Sequence, residues 1–420
     1  MRNLDTPFKS LLFASVSALI LSSSVLHAAE EKTTEAESLA AAITGGDAYI
    51  KLRYRFENVD QAGFANTANA STLRTNLGYK TGEYRGLSGV VEFQNVVNIG
   101  ADNYNSTING RTNYPVVADP EVTEVNQAYA AYTGIDKTTL IAGRKALNLD
   151  NQRFIGTVGW RQNDQTYDLV AGINTSLPDT TILYGYVWNV NRIFGDDHAF
   201  GDLGTDTHVV NVNYSGLSFG KLSAYGYFID LDHAAVQGLS SQTIGLRFSG
   251  KAKMSGEFSA VYELEYANQK DYGGNPGDYS VNYFHGAGGV TFSGATLKLG
   301  YEILGSDNMG TASFKTPLAT LHKFNGWADK FLGTPGSGLE DLYVSGAYNF
   351  SGAAKGLKAM AVYHRFNSEY GDIHYGNEID LLLAYKINKN YNISLKYADY
   401  NADGFSVDTQ KFWISLGANF

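Results

Sequence analysis

The sequence predicts an all-β fold: a transmembrane antiparallel up-and-down β-barrel of about 18 strands, with short turns at one rim and long loops at the other. Three observations carry this. Apolar and polar residues alternate in segments of about ten residues, the length that crosses a bilayer as a tilted strand. The connections between segments are short and long in turn. The chain also ends on an apolar strand closed by Phe420.

Residues 1–29 have the form of a secretory signal. Arg2 and Lys9 precede the apolar run Leu11 to Leu21, and His27-Ala28-Ala29 offers a small-residue exit. The run is too short for a helix to cross a membrane. Removing it takes away Arg2, Lys9 and Asp5, so the net charge moves from −10 to −11. That sign argues against nucleic acid as a partner. Residues 30–46 are acidic and Ala-rich and read as a short N-terminal segment with room for one helix. The barrel is expected over 47–420.

The chain has no cysteine, which excludes a disulfide scaffold and a thiolate metal site. It has 29 Tyr, 22 Phe and 46 Gly against 7 Pro. This suits a barrel whose outer face carries aromatic girdles.

The first strand shows the alternation plainly. In Ala48-Tyr49-Ile50-Lys51-Leu52-Arg53-Tyr54-Arg55-Phe56-Glu57 the even positions are apolar and the odd ones mostly charged. The same test places strands near 47–58, 71–82, 87–98, 122–133, 138–147, 165–175, 180–193, 206–215 and 219–231. It continues through 240–250, 255–268, 279–292, 295–304, 340–350, 356–367, 376–387, 391–401 and 409–420. The segments 219–231 and 356–367 are ambiguous in phase. Gly286 to Gly289 fall inside a strand and mark a bend or close approach, not a phosphate loop. Every even-to-odd link is short, as in Tyr84-Arg85-Gly86 and Asn388-Lys389-Asn390. The links 99–121, 148–164, 194–205 and 305–339 are long. In the last strand Phe412, Ile414, Leu416, Ala418 and Phe420 share one face, as a lipid-facing strand that closes a barrel requires.

With apolar positions turned to lipid, the alternate positions turn inward. The first two strands then present Lys51, Arg53, Arg55, Arg74 and Lys80, with Arg247 further on. Glu263, Glu265, Glu378 and Asp380 lie on later strands, the first two roughly opposite the basic group. Such walls would set a transverse field across an aqueous lumen, unless the charges neutralise one another. No catalytic residue, metal or cofactor is expected. Asp196-Asp197-His198 and Asp232-His233 read as loop histidines, His285 and His364 as ordinary girdle histidines, and the Asp/Asn-rich runs as solvated loop rather than Ca²⁺ sites.

One segment breaks the alternation. Gly143-Arg144, Asp150-Asn151-Gln152-Arg153-Phe154-Ile155-Gly156 and Trp160-Arg161-Gln162 resemble the signature of the alginate-export porin family, with Lys145 where that family has Gln. The resemblance implies an 18-stranded outer-membrane porin, with Arg144, Arg153 and Arg161 as motif arginines lining the pore. It implies small polar or anionic solutes, oligouronates among them, beside lipid bilayer and lipopolysaccharide contacts and a monomer as the favoured assembly. The link 388–390 is too short for the periplasmic plug of dedicated exporters, so a general uptake porin is the alternative and an enzymatic barrel a distant one. Either the loop 148–164 folds inward over the pore or it lies outward; 305–339, with Leu318 to Phe324 at roughly helical spacing, is a rival constriction.

Overall fold

A computed structural model describes residues 35–420 of the chain. The expected signal segment, 1–29, lies outside the described residues. One short helix, α1 (Leu39–Thr44), precedes the strands; Ser38 Oγ accepts from the Ala41 N–H at 3.1 Å and caps it.

Eighteen strands follow. They are β1 (Asp47–Gln61), β2 (Ala68–Lys80), β3 (Leu87–Asn103), β4 (Val122–Ile135), β5 (Thr138–Lys145), β6 (Thr166–Asn174), β7 (Thr180–Asn191), β8 (Asp202–Leu217) and β9 (Gly220–Ile229). The second half comprises β10 (Ser241–Lys253), β11 (Ser259–Asp271), β12 (Ser280–Phe292), β13 (Ala295–Leu304), β14 (Leu339–Asn349), β15 (Leu357–Asn367), β16 (His374–Lys386), β17 (Tyr391–Ala402) and β18 (Thr409–Asn419). Each pairs antiparallel with its sequence neighbours, and β1 pairs with β18. Leu52 sits opposite Ala418 and Phe56 opposite Ile414, and Ile50 and Phe420 exchange backbone hydrogen bonds of 3.0 and 2.9 Å. Closure leaves no edge unpaired among the described strands, the condition for a sheet to stand in hydrocarbon.

The alternation sets the two faces. Leu77, Phe93, Leu264, Leu297, Leu299, Leu381 and Leu416 are exposed on the outside, whereas Arg55, Glu57, Gln94, Thr243, Glu265 and Glu378 are buried inside. In β9, Tyr225 and Tyr227 turn inward, and in β15, Val362, His364 and Phe366 do. This settles the two ambiguous phases. Several strands run past their expected ends at the long-loop rim, β1 to Gln61, β3 to Asn103 and β8 from Asp202. There apolar residues no longer mark the outer face, since Val59 and Leu203 are buried, so the outward apolar alternation cannot reveal the strand ends. Gly289 in β12 lies so close to the Leu297 carbonyl that a Cβ would collide with it, which explains a glycine within that strand.

We number the loops of the long rim in chain order. L2 spans 104–121, L3 146–165 and L7 305–338. L3 and L7 both fold into the barrel. Phe154 of L3 packs on Tyr225, Tyr283 and Phe314 at ring distances of 5.2, 5.5 and 5.9 Å. Phe331 of L7 packs on Phe366 at 4.5 Å and Phe405 at 5.3 Å. The apolar core thus lies inside the barrel, between the loops and the wall, and each such buried side chain contributes roughly 1.5–3 kcal/mol to docking. The helical spacing in 318–324 yields only one tight turn, Leu321–Lys323, because packing against L3 and the wall governs that segment.

Candidate functional site

A loop that crosses a barrel interior carries backbone carbonyls with no strand partner, and each needs a donor. The arginines of β1 supply them. Arg53 donates from Nε to Gln162 Oε1 at 2.9 Å and from Nη1 to the Gly159 carbonyl at 2.7 Å, with a further bond to the Arg161 carbonyl. Arg55 donates to the Trp160 carbonyl and faces Asp119 of L2 at 3.4 Å. Arg74 of β2 pairs with Asp164 at 2.9 Å. Five N–H donors on one planar group allow a single arginine to hold several groups of the loop at once. Gln162 completes the attachment: its side chain donates to Thr72 Oγ1 at 2.8 Å, and its N–H donates to Asp119 Oδ1 at 2.8 Å.

The other end of L3 is anchored across the barrel. Arg153 donates to Glu302 Oε1 at 2.8 Å and to Asn325 Oδ1 at 2.9 Å, and lies 4.7 Å from the Phe324 ring. Between the two anchors Arg161 bridges Glu57 of β1 at 3.0 Å and Asp329 of L7 at 3.1 Å, with Asp119 at 3.9 Å. Asp329 is also held by Lys411 at 2.8 Å and by His322 Nδ1 at 2.7 Å. The loops cross by backbone as well, Gly156 N–H to the Leu318 carbonyl at 2.9 Å and Thr320 N–H to the Gln152 carbonyl at 3.1 Å. A Cβ on Gly156 would run into the Thr320 hydroxyl.

L7 docks on carboxylates. Ala328 N–H donates to Glu378 Oε1 at 2.6 Å and Trp327 N–H to Asp380 Oδ2 at 3.2 Å. Asn325 donates to Glu302 Oε2 at 2.6 Å and Asp341 Oδ2 at 3.1 Å. Gly326, at φ +84°, brings the turn against Glu378 where no side chain has room. His364 faces Asp341 at 2.8 Å and belongs to this lumen network rather than to an aromatic girdle. Burial and the nearby Lys396 hold His322 well below the usual histidine range, against the pull of Asp329. Burial pushes the Lys323 ammonium of L7 down to about 8.

These contacts change the expected wall-against-wall picture. Lys51, Arg53, Arg55, Arg74, Arg247, Glu263, Glu265, Glu378 and Asp380 all face inward, and Arg153 and Arg161 lie inside the barrel, but most serve the loops. Arg53, Arg55, Arg153, Arg161, Glu265, Glu378 and Asp380 are buried, because a loop lies over each of them or its charge is taken by a neighbour. Glu263 and Glu265 are engaged by Arg247 of their own wall, at 2.9 and 3.5 Å. Charge is compensated locally, and among the described residues the expected acidic group is not left free to oppose the basic one.

Arg144 departs from expectation in direction. Leu140 and Ala142 of β5 face outward, so Arg144 does too, pairing with Asp168 of β6 at 2.8 Å beside outward Val125 and Val170. Its neighbour Lys145 turns inward, 3.9 Å from the Tyr129 ring. The sequence reading missed Asp119, Glu57, Lys411 and Asp329 as loop anchors and Lys221 as an inward cation. For Lys411 and Lys221 the alternation held the signal, since each shares parity with buried Trp413 or Ser223. Glu263, Glu265 and His285 approach closely enough to hold a cation, but the Arg247 guanidinium already takes that side.

No protein-family model matches the chain, and no curated protein matches it in sequence. Solved structures do. The barrel superposes on OccAB2 of Acinetobacter baumannii with TM-score 0.70 at 17% identity, over 90% of this chain and 99% of that one. OccK9 (OpdG) of Pseudomonas aeruginosa gives 0.70 at 14%, over 90% and 100%. OpdK of Pseudomonas aeruginosa, solved with vanillate, gives 0.69 at 16%, over 90% and 99%. The fold is that of an outer-membrane porin. The structural likeness found is to Occ and Opd porins, and it supports the resemblance read from the motif arginines only as far as the outer-membrane porin fold.

Proposed function

We propose that this barrel is an outer-membrane diffusion channel for small polar solutes, with a preference for anions such as carboxylates. Eighteen strands leave room for an aqueous passage, and L3 and L7 together fill its middle. That geometry favours small solutes over polymers. One observation carries the anion preference. In the lumen pairs Lys51–Glu92 and Lys221–Asp150 the cation side chains are 45% and 41% exposed, whereas the acids are 1% and 5% exposed. The two lysines stand on β1 and β9, on opposite sides of the barrel, so a solute meets ammonium groups from both. Such charges select by sign, and salt screens them. Vanillate, present in the OpdK structure, is a small aromatic carboxylate of this class. Uronates carry the same group, so oligouronates of increasing length form the natural series with which to find the size limit.

The test is reversal potential in planar bilayers under a salt gradient, followed by block with vanillate, single uronates and oligouronates. Anion selectivity with block by the small carboxylates is the expected result. A conducting but unselective pore would leave a general porin, and a barrel that passes no current would remove the channel reading.

A further inference from the structure

Three of the four tryptophans of the chain converge on one lysine. Lys396 of β17 faces inward and is 2% exposed. Its ammonium lies 3.8 Å from the ring centre of Trp160 in L3, 3.7 Å from that of Trp327 in L7 and 5.3 Å from that of Trp413 in β18. Its Nζ is 2.7 Å from His322 Nε2 in L7. His322 Nδ1 faces the Asp329 carboxylate, which assigns the ring proton to Nδ1 and leaves Nε2 to accept from the lysine. Trp160 stacks on His322 at 4.3 Å with 5° between planes and meets Trp413 edge-on at 5.6 Å.

Among the described residues Lys396 forms no ion pair of the kind that holds Arg153, Arg161 and Lys411. A buried ammonium without a paired carboxylate is costly unless its hydration is replaced. Here the replacement comes from π faces on two different loops and the adjacent strand. With L3 lifted, the Trp160 face is lost; with L7 lifted, Trp327 and His322 are lost together. Each loop thus completes the shell that makes the other worth docking.

We propose that Lys396 is the positioning residue of the constriction: it couples L3 to L7 against β17 and β18 and so fixes the narrow state of the pore. The residue touches no solute in this account and acts through the loops. The inference rests on the channel reading, and the wild-type recording separates the two, because a wild-type barrel without current removes the channel reading before any variant is compared.

The experiment is single-channel recording on full-length protein, with tryptophan emission measured on the same samples. Lys396→Met keeps the length and removes the charge. It is expected to raise the time spent in wider, noisier states by about thirtyfold or more, since even one of its three cation–π contacts carries that much when desolvated, and to shift tryptophan emission to the red as the indoles meet water. Lys396→Arg, which keeps a cation that stacks on indole, is expected to restore quiet currents in part. A Met variant that is folded, merely less heat-stable and unchanged in current noise overturns the proposal. Should Lys396→Met fail to fold, Trp327→Leu tests the same shell from L7 alone: noisy currents support the coupling and wild-type currents overturn it.

Discussion

Replacing Arg161 by Met is the most direct way to ask whether L3 is held as the structure shows. The guanidinium lies 3.0 Å from Glu57 and 3.1 Å from Asp329, with side chains 8%, 0% and 5% exposed. Asp329 keeps Lys411 and His322, and Asp119 keeps Arg55. Glu57 loses its cation. Removing one member of a buried pair costs about 3–5 kcal/mol, mostly because the remaining charge is stranded. At about 1.4 kcal/mol per decade this shifts the balance between docked and undocked loop by roughly two hundredfold to several thousandfold. The strand ladder is untouched, so the barrel still folds. The assay is conductance of single channels: the variant is expected to open to a larger level or to switch repeatedly to it. Arg161→Met combined with Glu57→Gln should recover part of the loss, since the stranded charge is gone. A folded Arg161→Met barrel with wild-type conductance and noise would refute the claim that this ion-pair cluster holds the constriction.

Selectivity should follow the exposed lysines: Lys51→Glu with Lys221→Glu is expected to move the reversal potential toward cations, whereas Arg144→Glu, on the outer face, leaves it at the wild-type value. Gly326→Ala forces a left-handed backbone costing ~1–2 kcal/mol and crowds Glu378, so hydrogen exchange at the Trp327 and Ala328 amides should quicken by about tenfold or more. Acid should loosen the loops. His322 stays neutral when docked, its pKa held down by burial, while undocked it titrates near the ordinary value of about 6.5. The undocked state therefore binds the extra proton, and docking is full above that pH and weakens progressively below it. Current noise is expected to rise between pH 7.5 and 5.5, and His322→Gln should flatten that rise.

The barrel was readable because its physics is local. An alternation such as Ile50/Leu52/Tyr54 against Lys51/Arg53/Arg55 needs only the pleat and an apolar surround, and the alternation of short and long links needs only an even meander. The constriction was readable in part. The Arg-rich run of L3 stood out, and its position inside the barrel suited it, but nothing in Arg53 or Arg55 says that its donors will be spent on the carbonyls of residues 159–161. Those contacts span more than a hundred residues. Arg144 shows the reverse case: a motif match put it in the pore, while the parity of Leu140 and Ala142 put it outside. L7 was hardest to read, because its seats Glu378 and Asp380 look like free pore charges until the N–H groups of 327 and 328 are seen to occupy them.

The seam between β1 and β18 closes the barrel, and the loop anchors straddle it. Arg53, Arg55 and Glu57 stand on one side and Lys411 and Trp413 on the other, with Glu57 directly opposite Trp413 in the ladder. The part of the docking surface that spans this seam therefore does not exist until the first and last strands have met. Narrowing of the passage becomes the final event of assembly, after the slow long-range pairing is complete. Once formed, the crossing loops bind the last strand to the first from within, and opening the seam would require them to let go.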